Sequence, residues 1–220
     1  MLICQEHIPD TVTDILILCH GYGADGRDLT YGMERLYKAC PTLACFYPDA
    51  PIPGPFGGYQ WFSLDDFTPQ KLTDITYLET LIQRTESGVS TLKELARHLM
   101  NRFHLDSRHI FLGGFSQGGL IALVTALSWD KPVAGILALS SVPILFEKAF
   151  PLEKVHQNLP ILMTHGEEDD VIPEHAWLLG QEELKRAHQK LSAFSIPNLP
   201  HGIDETVLNH MITFIRSHQH

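Results

Sequence analysis

The sequence predicts an α/β fold, a mostly parallel central sheet with helices on both faces, and three observations carry that expectation. Short β-rich apolar runs alternate with longer stretches of helical periodicity, the pattern of strands joined by crossover helices. The run Asp14–Cys19 (DILILC) is apolar without alternation after its first residue, as a strand buried on both faces requires. Further on, the strand-like run Ile110–Gly113 enters a glycine-rich turn that opens directly into an apolar helix.

The remaining elements follow in order. A helix is expected over Leu29–Cys40 and a strand over Ala44–Tyr47. Residues Pro48–Pro69 hold Pro48, Pro51, Pro53, Pro55 and Pro69, several glycines and the aromatics Tyr59, Trp61 and Phe62, so they read as a packed irregular loop. From Ile75 to Phe103 apolar residues keep to one face at about 3.6-residue spacing, with Gly88 as the expected weak point. Then come strand Ile110–Gly113, helix Gln117–Trp129, strand Val133–Leu139, an irregular or helical stretch to Asn158, and strand Ile161–Thr164. Helix Glu174–Lys190, strand Ala193–Ile196 and helix Glu205–Ser217 complete the chain. With no repeat, linker or low-complexity segment, residues 1–220 read as one domain.

Composition narrows the partners. A formal charge of −10 argues against nucleic acid or an anionic membrane as partner, since both attract basic surfaces. No apolar run approaches the roughly 18 residues of a membrane span, and the first residues lack a signal-peptide pattern; stable membrane insertion is not expected. The four cysteines, Cys4, Cys19, Cys40 and Cys45, show no CxxC spacing and read as reduced thiols of a cytoplasmic protein. Oligomeric state, monomer or homodimer, stays open.

The chemistry gathers around Gly114-Phe115-Ser116-Gln117-Gly118. A G-x-S-x-G alone is a weak signal, but here a strand runs into it and a helix leaves it, the setting of a nucleophile elbow. Glycines two residues before and after the serine let strand and helix pass closely. The serine also sits at a helix N-terminus, where free N–H groups favour developing negative charge. Ser116 is therefore the candidate nucleophile.

A serine hydroxyl needs a histidine to take its proton, and the histidine needs a carboxylate. Among thirteen histidines, those at 156, 175, 188, 210, 218 and 220 fall on expected helices or the chain end. His201 instead lies in Asn198-Leu-Pro-His-Gly-Ile203, a loop between the last strand and last helix, and is the candidate base. The acid falls in His165-Gly-Glu-Glu-Asp-Asp170, after a strand; Asp169 and Asp170 are not separable there, because neighbouring residues point in different directions. The oxyanion hole requires the N–H of Gln117 and one from an earlier loop. His20-Gly-Tyr-Gly-Ala-Asp-Gly26 follows the first central strand and offers the N–H of Tyr22, while His20 reads as structural.

With these motifs in place, the chain resembles the phospholipase/carboxylesterase family, which includes acyl-protein thioesterases, over roughly residues 13–215. The resemblance rests on His20–Asp28, on Pro48-Asp-Ala-Pro51 followed by Gln60-Trp-Phe62, on Gly113–Gly119, and on His165-Gly-x-x-Asp169 with His201-Gly202. It implies an α/β-hydrolase fold and a triad of Ser116, Asp169 and His201, with Tyr22 and Gln117 as oxyanion donors and no metal or cofactor. It also implies that Trp61 and Phe62 line an acyl pocket, with ordinary packing beneath the long loop as the equal alternative. The implied substrates are small-molecule carboxylic esters or thioesters, S-acylated proteins or lysophospholipids. Peptide hydrolysis, and a non-catalytic scaffold binding a hydrophobic ligand, are the alternatives. Three positions depart from the family pattern: Asp170, Pro200 and the Ser140-Ser141-Val142 run.

Overall fold

The computed structural model describes residues 4–55, 57–141, 158–186 and 190–220. Among these, seven strands form one sheet in the order β1-β3-β2-β6-β7-β8-β9. They are β1 (Cys4–His7), β2 (Asp14–Cys19), β3 (Leu43–Pro48), β6 (Ile110–Phe115), β7 (Gly135–Leu139), β8 (Pro160–Gly166) and β9 (Lys190–Ile196). Only β1 runs antiparallel, along β3, and every other pairing is parallel. The helices are α1 (Glu34–Ala39), α2 (Ile75–Arg84), α3 (Glu86–Phe103), α4 (Gln117–Leu127), α5 (Glu174–Arg186) and α6 (Glu205–His218).

The sheet is buried on both sides because its strands carry apolar residues at both parities. In β2, Ile15, Ile17 and Cys19 join one core cluster with residues of α2 to α5; Leu16 and Leu18 join the other, with residues of α1 and α6. Every residue of β2 and of β3 is buried. Helix α4 is buried along its whole length, so it has no solvent face to be amphipathic. Cys19, Cys40 and Cys45 are buried free thiols, and burial pushes the Cys45 thiol up to about 12.

Several expectations change. The single helix read over Leu29–Cys40 is a 3₁₀ turn at Gly26–Thr30 followed by α1, with Gly32 at φ +77° between them. The long periodic stretch breaks at Thr85, not at Gly88. Gly88 is instead a close approach: a Cβ there would lie 2.9 Å from Ile121 Cδ1 and 3.2 Å from the Trp61 carbonyl oxygen. The proline-rich loop holds some regular structure, the antiparallel pair β4 (Ile52–Pro53) and β5 (Tyr59–Gln60), and a 3₁₀ turn at Pro69–Thr73. Strands β8 and β9 extend beyond the expected runs. The irregular or helical stretch expected up to Asn158 lies, apart from Ser140, Ser141 and Asn158, outside the described residues; the helix expected to Lys190 is described as far as Arg186, and Lys190 itself opens β9.

Parallel strands bring their C-terminal ends to one edge of the sheet. There β2 leads to His20–Ala24, β6 to Ser116, β7 to Ser140-Ser141, β8 to Glu167–Ile172 and β9 to His201. In open α/β sheets this edge is where ligands bind.

Candidate active site

Ser116 stands between β6 and α4 with φ +52° and ψ −117°, a conformation that costs a non-glycine residue about 1–3 kcal/mol. Its N–H is held by the Leu139 carbonyl at 2.9 Å, which fixes the elbow to the neighbouring strand. The glycines around it are sterically required. A Cβ on Gly114 would lie 2.3 Å from the Gly118 carbonyl carbon, and one on Gly118 would lie 2.2 Å from the Cys19 carbonyl oxygen. The close packing read from the motif is present at both positions.

His201 Nδ1 donates to Asp169 Oδ2 at 2.7 Å. The carboxylate has no solvent-exposed surface, whereas the His201 side chain keeps 15%. Asp169 Oδ1 accepts the N–H groups of Val171 (3.0 Å) and Ile172 (2.8 Å). Burial alone would raise this carboxyl's pKa, but the His201 hydrogen bond and the two backbone amides outweigh it and hold the pKa below the ordinary value. Asp170 is exposed, so the structure separates the two aspartates that the sequence could not.

His165 also touches this carboxylate. It is buried, stacks on Trp177 with centroids 5.1 Å apart, and places Nδ1 3.6 Å from Asp169 Oδ2. Burial lowers its pKa and favours the neutral ring. The sequence expectations give His165 no role of its own; its signal is its place at the head of the H-G-x-x-D segment, four residues before the acid.

Ser116 and His201 face one cavity of about 940 Å³, together with Tyr22 and Gln117. Its lining includes the apolar side chains of Phe62, Leu72, Leu81 and Leu120. Phe62 thus lines the cavity that Ser116 and His201 face. Trp61 does not: its indole is fully buried, it is absent from the cavity wall, and its Nε1–H donates to the His20 carbonyl at 2.9 Å.

His20 has a structural part. Its Nε2 accepts the Ala50 N–H at 2.9 Å, so Nδ1 carries the hydrogen and donates to the Gly21 carbonyl at 2.7 Å. Burial lowers its pKa and favours this neutral form. Gln117 likewise does more than the sequence showed, because its side-chain amide bonds to the Trp61–Phe62 backbone.

A parallel sheet with a strained serine elbow and a histidine–carboxylate pair at its C-terminal edge defines an α/β-hydrolase. Sequence comparison agrees: a model of the phospholipase/carboxylesterase family matches residues 6–219. The chain belongs to that family, and it is an enzyme, a serine hydrolase. It is 29% identical to acyl-protein thioesterase 1 of Gibberella zeae, with 93% of this chain and 90% of that one aligned. For acyl-protein thioesterase 1 of Debaryomyces hansenii the identity is 25%, with 91% and 89% covered. Among solved structures, esterase PE8 superposes with a TM-score of 0.83 at 25% identity, over 99% of this chain and 98% of that one. A carboxylesterase from Mesorhizobium loti shares the fold, with a TM-score of 0.70 at 18% identity over 93% and 88%. No helix among the described residues is long and apolar enough to cross a membrane.

Proposed function

We propose that the protein hydrolyses carboxylic esters and acyl thioesters through an acyl-enzyme on Ser116. The observation that carries this reading is that Ser116, held at a positive φ, shares one cavity with His201, whose Nδ1 is bonded to the buried Asp169 carboxylate. That bond leaves the hydrogen on Nδ1 and the Nε2 lone pair free to act as base.

His201 takes the Ser116 hydroxyl proton as the oxygen attacks the acyl carbonyl. The resulting tetrahedral oxyanion is held by the N–H groups of Gln117 and Tyr22. His201 then protonates the departing alcohol or thiol, and the acyl-enzyme forms. Water, deprotonated by the same imidazole, attacks the acyl carbon and releases the acid and Ser116. Asp169 stays ionised throughout and stabilises the imidazolium.

The apolar wall of Phe62, Leu72, Leu81 and Leu120 suits the hydrocarbon of the acyl group. The names of the curated relatives support S-acylated proteins as substrates, and the family name supports lysophospholipids. Free thiols throughout suit a reducing, cytoplasmic setting.

Hydrolysis of p-nitrophenyl esters of rising chain length, beside an acyl thioester, a lysophospholipid and a peptide, tests this reading. Ester and thioester are turned over, and Ser116→Ala abolishes the turnover while leaving the thermal melt unchanged. Retention of even a tenth of the activity by Ser116→Ala contradicts it.

A further inference from the structure

Trp61 is among the largest fully buried side chains of the molecule, yet it has no part in the cavity wall. A buried indole N–H requires an acceptor, and this one has the carbonyl of His20, two residues before Tyr22. The Trp61 backbone N–H donates to Gln117 Oε1 at 2.8 Å, and Gln117 Nε2 donates to the Phe62 carbonyl at 2.8 Å. The first residue of α4 therefore grips the loop by its side chain, and the loop grips the segment after β2 by its indole.

The same loop holds the other side of Tyr22. Gly23 N–H donates to the Tyr59 carbonyl at 2.9 Å, and Tyr59 N–H donates to the Ala24 carbonyl at 2.8 Å. Gly58, at φ +58°, permits this approach, because a Cβ there would lie 2.2 Å from the Gly23 carbonyl oxygen. Tyr22 is thus bracketed: the carbonyls of His20 and Gly21 are tied down before it, and Gly23 and Ala24 after it.

We infer that Trp61, acting with the side chain of Gln117, is a positioning residue that fixes the distance between the two oxyanion amides, those of Gln117 and Tyr22. The two amides lie on segments far apart in the chain; β2–β6 pairing and the close passage of Gly118 at the Cys19 carbonyl bring the backbones together, and the bonds of Tyr59–Phe62 hold them at a fixed separation. The segment Tyr59–Phe62 is a splint between them, bonded to the segment after β2 through Tyr59 and Trp61 and to Gln117 through Trp61 and Phe62. Preorganised donors contribute through their placement, and small displacements are costly in rate. The inference rests on the acyl-transfer reading of the site given above.

The test replaces Trp61 with 3-benzothienylalanine, in which sulfur stands in place of the indole N–H at nearly the same shape, and separately with Phe (Trp61→Phe). In both variants kcat for a medium-chain p-nitrophenyl ester falls roughly tenfold or more, while KM stays within about twofold. Affinity for an alkyl trifluoromethyl ketone, which forms a tetrahedral oxyanion on the serine, weakens by the same factor as kcat. Active sites are counted by fluorophosphonate titration, so that a misfolded fraction does not pass for a lower kcat. An unchanged kcat per active site, or a raised KM with kcat intact, overturns the positioning role and returns Trp61 to packing or acyl binding. If the unmodified enzyme turns over no ester and takes no label at Ser116, the acyl-transfer reading falls and this one with it. A labelled, active parent with indifferent Trp61 variants sinks this inference alone.

Discussion

His201 Nδ1 donates to Oδ2 of Asp169 at 2.7 Å, and the carboxylate is fully enclosed, while its neighbour Asp170 is exposed. The two aspartates are therefore expected to differ sharply. Asp169→Asn keeps its oxygen on the Val171 and Ile172 amides and turns an N–H₂ donor toward His201 Nδ1, which reverses the His201 tautomer and lowers kcat by roughly 10³–10⁴. Asp170→Asn changes a screened surface charge and shifts kcat by no more than about twofold. Steady-state kinetics of both variants on one ester checks the pair.

Stability should fall with acidity in two stages. His20 and His165 are held neutral by burial, with pKa values below the unfolded reference of about 6.5. Their contribution is whole above that pH and is lost as the medium acidifies through their folded values, because the unfolded chain binds the protons first. Asp169, also depressed, contributes above the unfolded value of about 3.9 and loses its contribution below it. Thermal melts from pH 8 to 3 should show a decline beginning near pH 6.5 and a steeper one below about pH 4. Asp169→Asn deepens the first, because the carboxylate that favours protonated His165 is gone, and blunts the second, to which Asp25, Asp66 and Asp106 also contribute; an equal second decline in that variant refutes the assignment.

The close passage at the elbow predicts that Gly118→Ala is disruptive. Its Cβ would meet the Cys19 carbonyl at 2.2 Å, backbone against backbone, with no flexible side chain to move aside. A cost of about 1–3 kcal/mol is expected from chemical denaturation, with loss of esterase activity, since Gln117 must shift with it. Gly114→Ala should behave alike, its Cβ meeting Gly118 at 2.3 Å.

The site and the sheet were legible in the sequence to different depths. Ser116 could be read because strand, glycine spacing and helix are local features, and β2 because its apolar run leaves no polar face. His201 could be read by elimination from its loop. Asp169 could not be told from Asp170 without the family resemblance, since the choice depends on which carboxylate meets the amides of Val171 and Ile172. Strand β1, Cys-Gln-Glu-His, carries little apolar pattern and exists because β3 offers it an edge. The family resemblance implies that Trp61 lines the acyl pocket, but its place is set by acceptors distant in sequence, the His20 carbonyl and the Gln117 amide.

Acyl length should respond to the apolar lining of the cavity. Leu81 is 3% exposed and is part of that lining. Leu81→Phe adds bulk there and should lower kcat/KM for long-chain esters about tenfold while sparing acetate and butyrate esters. A uniform loss across chain lengths would place Leu81 outside the acyl path.

The central claim is that Ser116 is the nucleophile of an acyl-transfer site. Treatment of the intact protein with a fluorophosphonate, followed by mass spectrometry of its peptides, tests it most directly. The account predicts a single stoichiometric adduct on Ser116, lost in Ser116→Ala and strongly slowed in His201→Ala. No adduct, or an adduct on another residue with Ser116 unmodified, would contradict it.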